Sequence, residues 1–170
     1  ASYGVEANDA EGYLFPDTHE FDDETKPRRV VERMLANWTR KYEEVQKEHA
    51  EALGNPKSWT THDIVTLASI VEKETGAASE RPRIAAVFRN RLRKGMRLET
   101  DPTVIYGIPD FDGNLRRRDL ENRDNPYNTY RIRGLPPGPI ASPGAEALRA
   151  VVEPADVDFL EKYHISVVVL

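Results

Sequence analysis

The chain has 170 residues and no cysteine. That excludes a disulfide framework and a thiolate metal centre, and it is compatible with either redox compartment. No apolar run approaches the ~18 residues of a membrane-spanning helix, and the opening residues lack the charged-then-apolar pattern of a secretory signal. Positive charge is not in excess either. Lys and Arg number 24 against 29 Asp and Glu, a net charge of −5, which gives no bulk electrostatic reason to bind nucleic acid. The four histidines, His19, His49, His62 and His164, are scattered without ligand spacing, so neither a metal nor another cofactor is expected. A Gly-x-Ser-x-Gly elbow, a phosphate-binding loop and a dinucleotide glycine fingerprint are all missing.

What is present suits one globular unit, taken as residues 1–170. Hydrophobic residues make up 39% and charged residues 31%, enough of each to bury a core and solvate a surface. The spacing of Val31, Met34, Leu35, Trp38, Tyr42 and Val45 predicts a helix from Pro27 to Leu53. A second helix is expected from Thr60, with Asp63 in capping-box position, to a stop at Gly76. A third should be capped by Ser79, bury Ile84, Val87, Phe88 and Leu92, end at Gly95, and turn Arg89, Arg91, Arg93 and Lys94 to solvent. Beyond Gly95 the texture changes. Residues 96–108 are β-branched and aromatic between breakers, and 128–133 (NTYRIR) alternate, so both read as short strands. Phe111 to Asn125 is polar and turn-rich. Gly134 to Pro143 (GLPPGPIASP) must be an extended loop, followed by a short helix to about Val152 and a terminal strand over 165–170. The expected fold class is α+β, with helices in the N-terminal half packed against short strands and a proline-rich loop in the C-terminal half.

The segment TLASIVEKETG ends an apolar run in two carboxylates. On a helical wheel with Ile64 at zero, Leu67 lies at about 300° and Val71 at about 340°, while Glu74 lies at about 280° and Glu72 at about 80°. Glu74 therefore shares the apolar arc and Glu72 sits at its edge. A carboxyl held against apolar side chains is disfavoured in its charged form, which is what a general acid needs. The other reading of both glutamates is structural, with Lys73 or the arginines of the next helix as ion-pair partners. Two further clusters, LETDPTVIYG and PYNTY leading into GLPPGPI, set amide, hydroxyl and aromatic groups on breaker-rich segments. Such groups suit sugar rings, although tyrosines are also common in cores.

Taken in order, EGYLFPDT, ASIVEKET, NRLRKGMRLETDPTVIYG and YNTYRIRGLPPGPIASPG closely resemble the catalytic domain of the endolytic murein transglycosylases, the YceG-like family, from about Glu11 to about Pro154. The resemblance implies cleavage of internal β-1,4 bonds of peptidoglycan glycan strands without water, leaving 1,6-anhydro ends. It implies that Glu74, the second glutamate of the motif, is the single general acid and base. Asn90, Thr100, Asp101, Tyr106, Tyr127, Asn128 and Tyr130 lie in matching motifs and are expected to bind sugar and stabilise the oxocarbenium ion. Tyr127 should line the cleft, and Tyr130 should pack inward or brace the loop. The implied setting is the extracytoplasmic face of a bacterial membrane, beside peptidoglycan synthases. The family's membrane anchor and LysM-like domain are not within these residues, so a catalytic-domain fragment is expected. The ending EKYHISVVVL departs from the family pattern. A non-catalytic glycan-binding module and a water-using muramidase with Asp101 as second carboxylate remain as alternatives.

Overall fold

Residues 9–48 and 59–160 are described in a computed structural model of the chain. Its hub is helix α2, Thr61–Glu74, which follows α1, Pro27–Glu48. The expected capping box forms. The Thr60 hydroxyl accepts the Asp63 backbone N–H at 3.1 Å, and the Asp63 carboxylate accepts the Thr60 N–H at 2.9 Å, so two orphan donors are satisfied at once. Every residue from Ile64 to Val71 is buried, including Thr66 and Ser69. The wheel's contrast between an apolar and a polar face therefore does not describe this stretch, because α2 is enclosed on all sides there and emerges only at its two ends. Ser69 satisfies itself inside this core. Its hydroxyl donates to the Thr66 carbonyl and accepts the Ile140 N–H, which pins the proline-rich loop to the helix.

Around α2 pack α3, Arg81–Arg93, and α6, Ala145–Val152; α6 also receives α1. Two short helices, α4 (Asp101–Tyr106) and α5 (Arg117–Glu121), lie between α3 and α6 in the chain. The core joins Trp38, Tyr42 and Val45 of α1 with Leu67, Ile70 and Val71 of α2, Phe88 of α3 and Leu148 of α6. The N-terminal aromatic segment seats on it. Tyr13 is fully buried, edge-on to Trp38 at 4.8 Å, and its hydroxyl meets His62 Nδ1 at 3.1 Å, while His62 Nε2 donates to the Pro137 carbonyl at 3.0 Å. Gly12 has φ +83°, and a Cβ there would lie 2.4 Å from Pro139, so this close approach needs glycine.

Several expectations are corrected. The α+β class is overturned, since no residue among those described is in a strand. Residues 96–108 contain helix α4, whose Thr103 and Val104 are buried by packing and not by a sheet. Residues 128–133 form turns, because the Asn128 side chain takes carbonyls that a strand would leave for a neighbour. The second helix ends at Glu74, before Gly76, because Thr75 turns to extended backbone at φ −145°. A 3₁₀ turn, Ala78–Glu80, occupies the place of the expected Ser79 cap, and α3 starts at Arg81 without a side-chain cap. Arg91 is buried, contrary to the expected solvated face. Its guanidinium donates to the carbonyls of Leu98 and Leu160 and to the Glu99 carboxylate. The expected extension of α1 past Glu48 and the terminal strand lie outside the described residues.

Candidate active site

The two glutamates at the end of α2 meet different surroundings. Glu72 is tied into the packing on both oxygens. Arg81 of α3 donates to Oε1 at 2.7 Å, and the N–H of Gly144, the N-cap of α6, donates to Oε2 at 3.0 Å. Glu74 is the last helical residue and half-buried. Its Oε2 accepts the hydroxyl of fully buried Thr100 at 2.6 Å.

Thr100 is the N-cap of α4, where a threonine hydroxyl would ordinarily accept a backbone N–H of the first turn. It makes no such bond here; the hydroxyl points to Glu74 instead. Forgoing a cap costs about 1 kcal/mol, a local loss of the kind expected at functional positions. The preceding residue, Glu99, has φ +54°, a left-handed conformation that a non-glycine residue adopts only when held there. The hold comes from Arg91 on the Leu98 carbonyl and Glu99 carboxylate, and from Glu99 N–H donating to the Thr129 carbonyl at 3.3 Å.

Asp101 follows Thr100 and is exposed; the Tyr130 hydroxyl donates to its Oδ1 at 2.7 Å. Burial pushes the Tyr130 phenol well above the usual tyrosine range. The bond to Asp101 and the charges of Asp101, Glu74 and Glu99 add to the shift, so this phenol lies within electrostatic reach of Glu74. Tyr106 and Tyr127 form a second aromatic pair, with centroids 4.7 Å apart and planes tilted by 59°. Tyr106 is 40% exposed, and Tyr127 is half-buried against the core. Burial raises both phenols, aided by Asp9 and Glu11.

Glu74, Thr100, Asp101 and Tyr130 are thus brought together, and Tyr106 pairs with Tyr127. The two asparagines sit elsewhere. Asn128 is fully buried, its amide donating to the carbonyls of Asp119, Leu120 and Asn122 and its Oδ1 accepting the Tyr130 N–H, so it shapes the loop that carries Tyr130. Asn90 donates to the carbonyls of Val157 and Phe159 and accepts from Arg93. It lines a cavity of about 840 Å³ between α3 and residues 154–158, with Trp59 and Arg89, and neither Glu74 nor Tyr130 lines that space. Among the described residues no cluster of His, Asp and Glu is arranged to hold a metal. Sequence reasoning missed Thr103, Asn125 and Thr129, all buried. The T-D-P-T spacing, with threonines at the N-cap and third position of a helix, was the available signal.

An all-helical arrangement among the described residues, carrying one carboxyl on a buried threonine beside a phenol–carboxylate pair, defines the class: a domain equipped for carboxyl chemistry. The chain belongs to the YceG-like family, whose sequence model matches residues 2–165. It is similar to the endolytic murein transglycosylase of Bacillus subtilis, with 40% identity over 150 residues covering 88% of this chain and 40% of the relative. That of Streptococcus pneumoniae is 32% identical over 158 residues, covering 88% of this chain and 27% of the relative. The crystal structure of a yceG-like protein from Listeria monocytogenes superposes with a TM-score of 0.75 at 36% identity, over 89% of this chain and 48% of that one. The chain therefore spans less than half the length of these relatives.

Proposed function

We propose that this chain is the glycan-cleaving part of an endolytic murein transglycosylase, a lyase in which Glu74 is the single general acid and base. The observation that carries the reading is the 2.6 Å bond from the Thr100 hydroxyl to Glu74 Oε2, which orients the carboxyl at the end of α2. The similarity to relatives named for that activity supports it.

In the proposed reaction, protonated Glu74 donates to the glycosidic oxygen between N-acetylmuramic acid and N-acetylglucosamine. The C1–O bond breaks and the N-acetylglucosamine side leaves with that proton. The muramic C6 hydroxyl attacks C1, its proton passes to the Glu74 carboxylate, and a 1,6-anhydro ring closes. No water is consumed and the acid is restored. A tethered hydroxyl supplies effective molarity that a second carboxylate and a water would otherwise provide. The Asp101 carboxylate, oriented by Tyr130, would stabilise positive charge at C1. The tilted rings of Tyr106 and Tyr127 would offer faces to a neighbouring sugar. The reading carries the site to the extracytoplasmic side of the membrane, where the polymer and its synthases lie.

The test is a mass spectrum of products from purified peptidoglycan. Anhydro ends support the reading. Reducing ends would favour a muramidase with Asp101 as second carboxylate, and uncleaved strands a binding module.

A further inference from the structure

We infer that Thr103 and Thr129 are positioning residues: their buried hydroxyls close a hydrogen-bond ring on the Thr100 peptide and so aim the Thr100 hydroxyl at Glu74. The inference rests on the reading of Glu74 as the acid and base, and it assigns a task to two side chains that the proposed mechanism leaves unused.

Three short contacts define the ring. Thr100 N–H donates to Thr129 Oγ1 at 3.1 Å, Thr129 Oγ1 meets Thr103 Oγ1 at 2.8 Å, and Thr103 Oγ1 donates to the Thr100 carbonyl at 2.8 Å. The proton directions follow from these partners. The Thr103 proton goes to the Thr100 carbonyl, so the contact between the two hydroxyls must be filled by Thr129 donating to Thr103. The alternative, Thr129 donating directly to the Thr100 carbonyl, is longer at 3.4 Å. Each hydroxyl then donates once and accepts once, and all three threonines are fully buried.

The ring grips both the N–H and the C=O side of Thr100, so little freedom remains in the backbone that sets its side-chain direction. It does not use the Thr100 hydroxyl, whose proton is left for Glu74. Two departures from local rule agree with this. The N-cap threonine does not cap its own helix, and the residue before it is held at φ +54° by contacts that include the Thr129 carbonyl. Ordinary polar satisfaction of buried threonines explains neither. With Thr100 fixed, its hydroxyl holds Glu74 Oε2 and so sets the direction of the carboxyl. The hydroxyl also strengthens its bond as the carboxylate forms on proton donation.

A double-mutant cycle on soluble glycan strands tests this, with turnover and half-saturating concentration measured separately. Thr129→Val keeps shape and removes the ring. Turnover should fall roughly tenfold with half-saturation nearly unchanged, below the ~100-fold that a full 1 Å misplacement can cost. Thr129→Ser keeps the hydroxyl and should stay within about threefold of the parent. In a Thr100→Val background, Thr129→Val should cost no further turnover, because the ring acts only through the hydroxyl already lost. If Thr129→Val does not fold, the same cycle is run with Thr103→Ala. The inference is overturned by multiplying losses in the double variant, by unchanged turnover in the single one, or by a tenfold loss in Thr129→Ser. Retained activity in Glu74→Gln would instead overturn the underlying reading, a separate measurement on a separate residue.

Discussion

Glu72 and Glu74 leave the same helix end two residues apart, yet they serve two regions of different character. On the Glu72 side, charge is used to fasten helices: α2 is joined to Arg81 of α3 and to the N-cap of α6. On the Glu74 side, the neighbours are a threonine, a phenol and an exposed aspartate on loops and short helices. The first region is an ion pair that a fold can use for stability. The second arranges groups that can move a proton. The difference shows that a carboxylate at a helix end acquires its role from what faces it, since both share the same apolar helix and the same terminus.

The largest expected effect would break that comparison outright. Glu74→Gln keeps size and hydrogen bonding but cannot act as an acid, so cleavage should fall by at least ~100-fold, with the melting temperature nearly unchanged. Glu72→Gln should do the reverse. It leaves Arg81 and the Gly144 N–H with a weaker partner, so stability should drop by about 1–3 kcal/mol while activity changes much less. Cleavage and thermal unfolding on both variants decide it, and equal losses of activity would remove the distinction.

Next in size is Tyr130→Phe, which sharpens the Glu74 side. It removes the donor that orients Asp101 and leaves the ring. A hydrogen bond to a charged group is worth about 1.5–3 kcal/mol, so cleavage should fall roughly tenfold or more, with Asp101→Asn following the same direction. Unchanged turnover in both would confine the site to Glu74 and Thr100.

The same contrast explains what was legible in the sequence. The helical side was readable, because Thr60 and Asp63 form a capping box by local rule and Trp38, Tyr42 and Val45 follow helical spacing. Glu74 was chosen through its motif, and the structure sets its carboxylate on the Thr100 hydroxyl; the wheel reasoning that accompanied the choice assumed a solvent face that α2 lacks over Ile64–Val71. The loop side was misread as strands for a physical reason. Thr100, Thr103 and Thr129 are β-branched, but the hydroxyls of Thr103 and Thr129 bond to each other and to the Thr100 peptide, and that of Thr100 bonds to Glu74, so they stabilise turns and a helix start. Asn128 likewise replaces ladder partners with its own amide. Side chains that hydrogen-bond the backbone at a distance carry no periodicity, and periodicity was the signal being read.

A smaller effect probes how the loop side is held. A Cβ on Gly107 would come within 2.0 Å of Asn125 Oδ1, and that buried amide donates to the Val104 carbonyl and accepts the Tyr127 N–H. Gly107→Ala should destabilise by about 1–3 kcal/mol through overpacking. Because Asn125 supports Tyr127, half-saturation by glycan should rise more than turnover falls. A variant with native stability would show that Asn125 yields freely and that this anchor is not rigid.

The smallest expected effect is a pH dependence confined to the Glu74 side. Burial raises the Tyr130 phenol first, then its bond to Asp101 and the charges of Asp101, Glu74 and Glu99. An unfolded tyrosine titrates near pH ~10. Above that pH the unfolded chain releases a proton that the folded chain keeps, so the unfolded state binds fewer protons and stability falls as pH rises. The contribution is fully present below about pH 10 and is lost as pH climbs through the folded value. Tyr130→Phe removes this component, so the drop in denaturant midpoint between roughly pH 9.5 and pH 11 should be shallower than in the parent. Tyr106→Phe, at a partly exposed ring raised by burial with help from Glu11, Tyr127 and Asp9, should flatten the curve less. Glu72→Gln, on the fastening side, should shift the whole curve down without changing its slope there. If Tyr130→Phe keeps the parent's slope, neither burial nor the surrounding carboxylates raise that phenol, and the grouping of Tyr130 with Glu74 fails.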